Sequence, residues 1–235
     1  MNIGVFLASH NNPMFLRLAL LQLEAQTVLP TVLAIHDNGH NDRALPLVGD
    51  VYRRLLSKGV TVLYDHNPPG MCHPFFHYLP LKRLVDNGRC DVYTKWDHDD
   101  LFYEDHLESL VTRMRKTLVM PPDLDWIGKR RADVLVLREP AYLFKQNREF
   151  TWNPLGGMSD TFMFNDKVAR EYLQDMLDRA GTKEADDWIL HKYTLPKFPQ
   201  GVMLDSRPTT CYVSHGRNDS TRHWMAKPPD DLLNG

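Results

Sequence analysis

Hydrophobic positions in the first half of the chain alternate between two periods. Short β-rich runs predict strands, and between them apolar residues recur at the spacing of one helix face. The predicted strands cover 3–8, 31–36, 60–64 and 91–96, and the predicted helices cover 13–26, 43–58, 73–87 and 104–117. Strands that alternate with helices in this way predict a parallel α/β sheet.

The residues at the predicted helix ends support these boundaries. Asn12 followed by Pro13 is typical of a helix N-cap with proline at the first helical position. Gly59 and Gly88 each stand just past the end of a predicted helix, where glycine is the usual residue. The periodicity and the helix-end residues therefore predict the same elements.

After residue 120 the pattern becomes less regular. Extended runs at 124–128, 132–137, 141–144, 161–165, 200–204 and 209–213 accompany a helix at 166–180 and a short helix near 184–193. We expect one domain over 1–225, with a regularly wound half at 1–120 and a mixed half at 121–225. The proline pair at 121–122 marks either a surface turn or a join between the halves. The tail at 226–235 predicts a poorly ordered end or a linker.

Charge restricts the classes of partner. The chain carries 28 basic and 30 acidic residues, a formal net charge of -2, and the two signs are mixed along its length. Nucleic acids and anionic membranes are attracted by broad cationic fields, which such a sequence does not provide. We therefore expect neither as a partner.

Cysteine usage and hydropathy bear on the compartment. The three cysteines, Cys72, Cys90 and Cys211, are odd in number and widely spaced, which indicates neither a disulfide framework nor a zinc knuckle. The apolar start at 1–9 lacks a basic region and ends too early for a signal peptide. The apolar stretch at 14–23 is interrupted by polar side chains and is well short of the ~20 residues of a membrane span. We expect a cytoplasmic protein without a membrane-spanning segment.

Polar segments directly follow three of the predicted strands. They are His10-Asn11-Asn12, Asp37-Asn38-Gly39 and Asp97-His98-Asp99-Asp100. In a parallel α/β sheet the carboxyl ends of the strands line one crevice, where such folds bind their ligands. The sequence thus predicts that the three segments converge on one site.

The last of these segments carries three carboxylates within four residues. Like charges so close together repel unless a cation joins them, and hard oxygen ligands at a strand end suit Mg2+ or Mn2+. Alternatively, Asp99, Asp100, Glu104 and Asp105 only stabilise the start of the helix at 104–117, where acidic side chains favour the positive end of the dipole. The residues alone leave both interpretations open, whereas Asp105 and Glu108 are assigned to the helix start.

Five segments, taken in order, point to a known family. They are VFLASHNNP at 5–13 with LEAQT at 23–27, IHDNG at 35–39, DHD at 97–99, ADDW at 185–188 and SHGRNDS at 214–220. In this order they resemble the family 2 glycosyltransferases, nucleotide-sugar-dependent enzymes with a GT-A fold. The resemblance spans most of the chain and implies a Rossmann-like sheet with a nucleotide-sugar-binding half at 1–120 and an acceptor-binding half at 121–225.

The resemblance also implies a role for individual residues. Asp37 would bind the nucleotide base and Asp97 the ribose side. Asp99 would hold the metal, with His215 completing the metal site, and Asp187 would be the catalytic base. Attack of a sugar hydroxyl on an anomeric carbon independently calls for a carboxylate that accepts the proton.

Several of these residues have a simpler interpretation. Glu184, Asp186 and Asp187 stand where a helix begins, so one or two of them could be caps. Asp37 lies in an ordinary turn sequence. A single histidine is usually structural, but His215 follows an extended run and precedes glycine, which would let its imidazole project toward a ligand.

Further nucleotide contacts are expected at the ends of the first and third strands. Ser9, Asn11 and Asn12 precede a helix N-terminus, whose free N–H groups suit an anionic or carbonyl-bearing ligand. Asn12 is equally interpreted as the N-cap alone. Gly70 would let the backbone approach the nucleotide, although the Arg-Asn pair common after this glycine in the family is replaced by residues 71–74.

Eight of the other histidines are interpreted as structural, whereas His98, which lies inside the acidic segment, is not assigned. Those interpreted as structural are His36, His40, His66, His73, His77, His106, His191 and His223. The glutamate that usually precedes the catalytic base in the family is Asp186 here, a shorter carboxylate. No segment resembles the Arg-Trp motif of processive synthases, so one sugar per encounter is expected.

Tryptophans in the second half are candidates for stacking on an acceptor sugar. Trp126, Trp152 and Trp188 lie there, although tryptophan is more often a core residue. Trp188 is the best candidate because it adjoins Asp187. The basic run at 129–131 is interpreted as a solvated charged turn rather than an anion site.

Together these features predict a metal-dependent, inverting glycosyltransferase. We expect Mn2+ or Mg2+ as the cofactor, a UDP-sugar as the donor and a glycan or other hydroxyl compound as the acceptor, with one in-line displacement. One alternative is a sugar-1-phosphate nucleotidyltransferase, which would require a Gly-rich loop with basic residues after its first strand. Asn11-Asn12-Pro13 at this position is not such a loop. Another is a nucleotide- or carbohydrate-binding module without catalysis.

Overall fold

The computed structural model covers most of the predicted elements. It describes residues 1–9, 12–37, 44–66, 75–116, 124–129, 131–136, 148–152, 162–180, 182, 184, 186–204 and 209–214. For Asp187 and for the strands at 131–136, 148–152 and 211–214 the description is of the backbone. The extended run expected at 141–144 and the tail at 226–235 lie outside these residues, and the single-domain boundary at residue 225 stays a prediction.

Strands and helices alternate through the first half and mix in the second. The strands are β1 (Ile3–Ser9), β2 (Val32–Asp37), β3 (Thr61–His66), β4 (Val92–Asp97), β5 (Leu101–Phe102), β6 (Trp126–Lys129), β7 (Arg131–Val136), β8 (Arg148–Trp152), β9 (Phe162–Asn165), β10 (Gly201–Leu204) and β11 (Thr210–Ser214). The helices are α1 (Pro13–Glu24), α2 (Ala44–Ser57), α3 (Phe75–Asn87), α4 (His106–Lys116), α5 (Asp166–Asp178) and α6 (Asp186–Ile189). A π-helical turn (Leu190–Thr194) and a 3-10 turn (Leu195–Lys197) follow α6.

The main sheet has seven strands in the order β10-β6-β9-β4-β1-β2-β3. β1 pairs in parallel with β2 on one side and with β4 on the other, and β2 pairs in parallel with β3. β9 is antiparallel to both β4 and β6. The fold is therefore α/β with a mostly parallel central sheet, as the sequence predicts.

A second sheet lies beside the first and has the order β5-β11-β7-β8. Its first strand, β5, follows the acidic segment directly and pairs antiparallel with β11, where Thr210 faces Phe102 and Cys211 faces Leu101. β11 in turn runs parallel to β7. The end of the chain's described part is thus brought back to the residues that follow β4.

Helices cover both faces of the main sheet. On the first face, apolar side chains of α1, α2 and α4 pack against Val5, Leu7 and Trp96. On the second face, α3, α5 and α6 pack against Phe6 and Tyr93. A strand that is covered on both faces must be apolar at successive positions, which explains why β1 and β2 read as unbroken hydrophobic runs.

The predicted elements match the structure to within a few residues. Gly59 and Gly88 have φ angles of 87° and 67°, which confirms them as the left-handed residues that end helices. The short helix expected near 184–193 is α6 together with the π-helical turn. β5 and β8 were not predicted. Among the described residues, the helices are all too short or too polar to span a lipid bilayer.

Candidate functional site

Three of the predicted polar segments start at neighbouring strand ends. β1 lies between β2 and β4, with Ser9 opposite Asp37 and Ala8 opposite Asp97 in the strand register. The carboxyl ends of these strands share one edge of the sheet, the edge at which α/β folds bind ligands. The strand ends that precede the three segments thus meet at one edge, as predicted, with Asp37 and Asp97 there, while His10 and Asn11 lie outside the described residues.

Ser9 and Asp37 are buried at this edge of the sheet. Both are 2% exposed, and the Asp37 Oδ2 atom accepts a hydrogen bond of 2.7 Å from the Tyr64 hydroxyl. The Ser9 hydroxyl is buried and has no hydrogen-bond partner among the described residues. A buried hydroxyl without a partner is unfavourable, so Ser9 has hydrogen-bonding capacity to offer a ligand.

Asp97 belongs to a buried cluster of four charged side chains. Its Oδ2 atom lies 3.0 Å from the Lys95 Nζ atom, and its Oδ1 atom lies 3.4 Å from the His77 Nε2 atom. The same two side chains reach Asp186, whose Oδ2 atom lies 3.0 Å from Lys95 Nζ and 2.8 Å from His77 Nδ1. The acidic strand end and the start of α6 are thereby joined through two cations.

The pKa values in this cluster favour the charged forms. Burial alone would lower the pKa of His77, but Asp186 and the contact with Asp97 outweigh it and raise the pKa of His77 to about 9. Burial alone would raise the pKa of Asp97, but Lys95 and His77 hold that pKa below its usual value. At neutral pH His77 is therefore a cation and Asp97 an anion.

Protonation of His77 makes stability depend on pH. Because the pKa of His77 in the folded protein, about 9, lies above its usual value of 6.5, the stability contributed by its protonation is complete below pH 6.5 and is lost as pH rises through 9. We expect the free energy of unfolding in urea to fall by on the order of 3 kcal/mol across that window. His77→Gln should flatten the dependence of the free energy of unfolding on pH across that window. Equal slopes in the wild type and in His77→Gln would contradict the assignment.

The turn after Asp97 is held by α1. Gln22 donates from Nε2 to the Asp100 carbonyl at 3.3 Å and accepts the Phe102 N–H at Oε1 at 2.5 Å. Asp100 is 2% exposed, whereas about a fifth of the Asp99 side chain is exposed. Of these two carboxylates, Asp99 is therefore the one that solvent and a ligand can reach.

The structure decides against one interpretation of the acidic segment. α4 begins at His106, and β5 lies between it and Asp99, so neither Asp99 nor Asp100 is in the first turn of that helix. Glu108 is in the first turn, and its Oε2 atom accepts a 2.8 Å hydrogen bond from the Thr27 hydroxyl. Glu108 is thus structural, as assigned, while Asp99 is not explained by the helix.

Asp186 and Asp187 open α6, beside the buried cluster. Asp186 is 3% exposed, and its carbonyl accepts a hydrogen bond of 3.1 Å from the Tyr172 hydroxyl. The backbone places Asp187 next along the helix, and its side chain lies outside the described atoms. The π-helical turn that follows is a geometry found often at functional sites. Asp187 as the base stays a prediction.

The turns after α6 are secured by a second buried carboxylate. Asp175 of α5 is 3% exposed and accepts hydrogen bonds from the Thr194 hydroxyl at 2.9 Å and from Lys197 Nζ at 2.9 and 3.1 Å. Lys197 and Thr194 lie in the turns that follow α6. The segment after Asp187 is therefore anchored to α5.

Two tryptophans of the second half differ in their surroundings. Trp188 is 46% exposed, with Lys192 Nζ 5.5 Å from its ring centroid. Trp126 instead donates from Nε1 to the Phe198 carbonyl at 2.9 Å and packs against Phe162, as a core residue does. Trp188 thus remains the candidate for stacking, and the side chain of Trp152 lies outside the described atoms.

The interpretation of the basic run at 129–131 as a solvated turn is wrong for Lys129. This side chain is 2% exposed at the carboxyl end of β6, at the same edge of the sheet as Asp97. A lysine that ends a strand of the central sheet can be drawn inside when a partner receives its ammonium group. The Lys129 side chain is therefore buried at the edge of the sheet that carries the candidate site.

Asn12 acts as the N-cap of α1, accepting the Phe15 N–H at 3.2 Å. We expect Asn12→Ala to lower the free energy of unfolding by about 1 kcal/mol, the usual cost of losing a cap. Urea unfolding measures this change. If Asn12 only caps the helix, UDP affinity should be unchanged, and a clear loss of affinity would assign it to the nucleotide instead.

The fit of a divalent metal can be judged from the carboxylates. Both oxygens of Asp97 lie against cations, and about a fifth of the Asp99 side chain is exposed to solvent. Over the described residues, no three His, Cys, Asp or Glu side chains come together as a metal-binding group. Mg2+ is commonly held by one or two protein carboxylates plus substrate phosphates, and Asp99 fits that pattern.

Several predicted residues lie outside the described part of the chain. They are Asn11, Gly70 and His215 among the site residues, and His10, His40, His73 and His223 among the other histidines. The roles of Asn11, Gly70 and His215 stay predictions.

Sequence reasoning missed the charged partners of Asp97. Lys95 was not considered, and His77 was interpreted simply as structural. The signal was a lysine inside the otherwise apolar strand at 92–96, two residues before Asp97 and thus on the same face of the strand. A charge at a buried strand position requires a partner of the opposite sign.

Comparison with known proteins gives a fold but no family. No protein-family model matches the chain. No curated protein matches it either.

Solved structures of Staphylococcus aureus TarS, a GT-A glycosyltransferase, are similar in fold. A crystal structure of TarS residues 1 to 349 has a TM-score of 0.62 and 12% identity, covering 91% of this chain and 60% of that one. The same fragment with UDP-GlcNAc has a TM-score of 0.60 and 12% identity, covering 97% and 62%. With UDP bound the values are 0.60 and 12%, covering 91% and 60%. This chain thus has a GT-A fold and spans about three fifths of those structures.

Proposed function

We propose that this chain is a metal-dependent, inverting glycosyltransferase that moves one sugar from a UDP-sugar to a hydroxyl group of a glycan or similar acceptor. One observation carries the proposal. Lys95 contacts Asp97 and Asp186 at 3.0 Å each, so the acidic strand end and the helix that contains Asp187 meet at the ligand-binding edge of a GT-A sheet. This contact supports a donor site and a base at neighbouring positions, as the reaction requires.

The donor site in this proposal uses the ends of three strands. Asp37 accepts hydrogen bonds from the nucleotide base, the buried Ser9 hydroxyl donates to the nucleotide, and Asp97 lies on the ribose side. Asn11, Asn12 and Gly70 add contacts to the nucleotide. The TarS structures hold UDP and UDP-GlcNAc, which supports a uridine nucleotide on a fold of this kind.

Asp99 and His215 would hold Mn2+ or Mg2+ with the donor diphosphate. When bound, the ion would neutralise negative charge on the leaving diphosphate. His215 follows β11, and the antiparallel pairing of β11 with β5 directs that strand back toward the segment before Leu101. This direction supports His215 as the second protein ligand.

Asp187 is the base in this proposal. The acceptor oxygen forms a bond to the anomeric carbon as the bond from that carbon to the diphosphate oxygen breaks, and the hydroxyl proton passes to the Asp187 carboxylate. A single displacement from the opposite side inverts the anomeric configuration. Trp188, exposed beside Asp187, offers an apolar face on which an acceptor sugar ring can stack.

The experiment is UDP release from UDP-GlcNAc, UDP-glucose and UDP-galactose, each with Mn2+ and with EDTA. The proposal expects metal-dependent release from at least one donor, by hydrolysis or by transfer to added saccharides. Tight UDP binding without release from any donor would instead indicate a binding module. Formation of a UDP-sugar and diphosphate from UTP and a sugar-1-phosphate would indicate a nucleotidyltransferase. The cytoplasmic location stays a prediction from the sequence.

A further inference from the structure

Lys95 is a charged residue at a position where the fold calls for an apolar one. It lies in β4 between Thr94 and Trp96, and it is 3% exposed. Removing an ammonium group from water is costly unless carboxylates surround it. Among the described residues Lys95 contacts two carboxylates, Asp97 in the same strand and Asp186 at the start of α6.

The contacts form a closed ring of alternating charge. Lys95 and His77 each contact both Asp97 and Asp186, at distances between 2.8 and 3.4 Å. Over the described residues two cations face two carboxylates, so the charges of these four side chains balance. Because each member has two partners, the ring fixes β4, α3 and the start of α6 relative to one another.

α6 depends on such contacts for its position. It has four residues and continues into a five-residue π-helical turn and a three-residue 3-10 turn, and a helical stretch this short is marginally stable by its own hydrogen bonds. Ile189 and Leu190 are fully buried in the second core, which anchors the far end of α6. Asp186, held by Lys95, His77 and the Tyr172 hydroxyl, anchors the near end.

We propose that Lys95, assisted by His77, is a positioning residue that holds the first turn of α6 against the end of β4 and so fixes where Asp187 stands relative to the donor. The inference rests on the proposed function for the role of Asp187. If the ring only stabilised the fold, a charge-balanced replacement would restore activity along with stability. If it positions Asp187, such a replacement would restore stability but not activity.

The test compares Lys95→Met with the double variant Lys95→Met/Asp186→Asn. The single variant leaves Asp97 and the buried Asp186 facing one cation, His77, and should be strongly destabilised. The double variant removes one cation and one anion, so His77 and Asp97 remain as a balanced pair and stability should largely return. Positioning predicts that the folded double variant still loses turnover of UDP-GlcNAc, or of whichever UDP-sugar the wild type uses, by up to about 100-fold.

Nucleotide affinity separates positioning from general damage. In the double variant the dissociation constant for UDP with Mn2+ should stay within about threefold of the wild-type value, since the donor side keeps its Asp97–His77 contact. A folded double variant with wild-type turnover would overturn the inference, because it would show that the ring only stabilises the fold.

Hydrogen exchange tests the same inference without relying on activity. Amides of 186–190 should exchange faster in the double variant than in the wild type, because the start of α6 loses the contact between Lys95 and Asp186. The matched control is Lys82→Met/Asp86→Asn, which removes an exposed ion pair of α3 and should leave those amides unchanged. Unchanged exchange at 186–190 in the Lys95 double variant would overturn the inference. An inactive wild type would instead count against the proposed function, and the exchange result would still decide whether Lys95 holds α6.

Discussion

Asp187→Asn is expected to lower turnover of the UDP-sugar by about 10²- to 10⁴-fold, the range over which a positioned general base contributes. Asparagine has nearly the same size but does not accept the proton of the acceptor hydroxyl. UDP affinity in the presence of Mn2+ should be retained, because the donor site lies at the strand ends. The loss should therefore appear in kcat rather than in nucleotide binding.

The control for Asp187 is Asp178→Asn. Asp178 is exposed at the end of α5 and accepts a hydrogen bond from Gln174 within the same helix. Its replacement should leave turnover and UDP affinity unchanged. Near-normal turnover by Asp187→Asn would remove Asp187 as the base, and the search would move to other carboxylates near α6.

Asp99→Asn is expected to remove the metal dependence of both UDP binding and turnover. An amide oxygen carries no charge, so the divalent cation loses its protein carboxylate and the leaving diphosphate loses its neutralisation. The several kcal/mol that a metal supplies at a transition state correspond to a loss of about 100-fold or more in turnover. Folding should be little affected, because Asp99 is partly exposed.

Glu104→Gln is the matched control for Asp99. Glu104 is an exposed carboxylate of the same acidic region, and its backbone carbonyl, rather than its side chain, accepts the Thr27 N–H at 2.8 Å. This variant should keep metal-dependent UDP binding. If Asp99→Asn keeps that binding as well, the metal lies elsewhere.

The sheet and the gathering of strand ends were predictable because they follow from local patterns. Apolar runs of β1, β2 and β4, separated by helical periods and ended by Gly59 and Gly88, leave few alternatives to a parallel sheet. In such a sheet Ser9, Asp37 and Asp97 must share an edge. The order of the strands is less constrained, and β9 inserts antiparallel between β4 and β6, which no local pattern indicates.

The charged ring was not predictable in full because its members are far apart in sequence. His77, Lys95 and Asp186 come from α3, β4 and α6, and no spacing rule relates them. The lysine in a buried strand implied that a carboxylate partner existed, without indicating which one. The same limit applies to β5, whose two residues pair with β11 only because the second sheet forms.

Only the structure distinguishes between the two interpretations of Asp99, as a metal ligand and as an acidic residue at a helix start. In sequence, acidic residues before an amphipathic helix are equally compatible with dipole stabilisation and with metal binding. The strand β5 between Asp99 and α4 removes the first explanation. The role of Asp99 as a metal ligand stays a prediction, which the Asp99→Asn variant tests.

The most direct test of the account is the melting temperature of the wild-type protein with UDP, with and without Mn2+. At a UDP concentration about 100 times the dissociation constant, binding stabilises the folded state by about 2.7 kcal/mol, which raises the melting temperature by about 5–10 °C in a chain of this size. The account predicts this rise with UDP and Mn2+ together and a much smaller one with either alone. No metal-dependent rise with UDP, or with GDP, dTDP or ADP in its place, would contradict a metal-dependent nucleotide-sugar site at the ends of these strands.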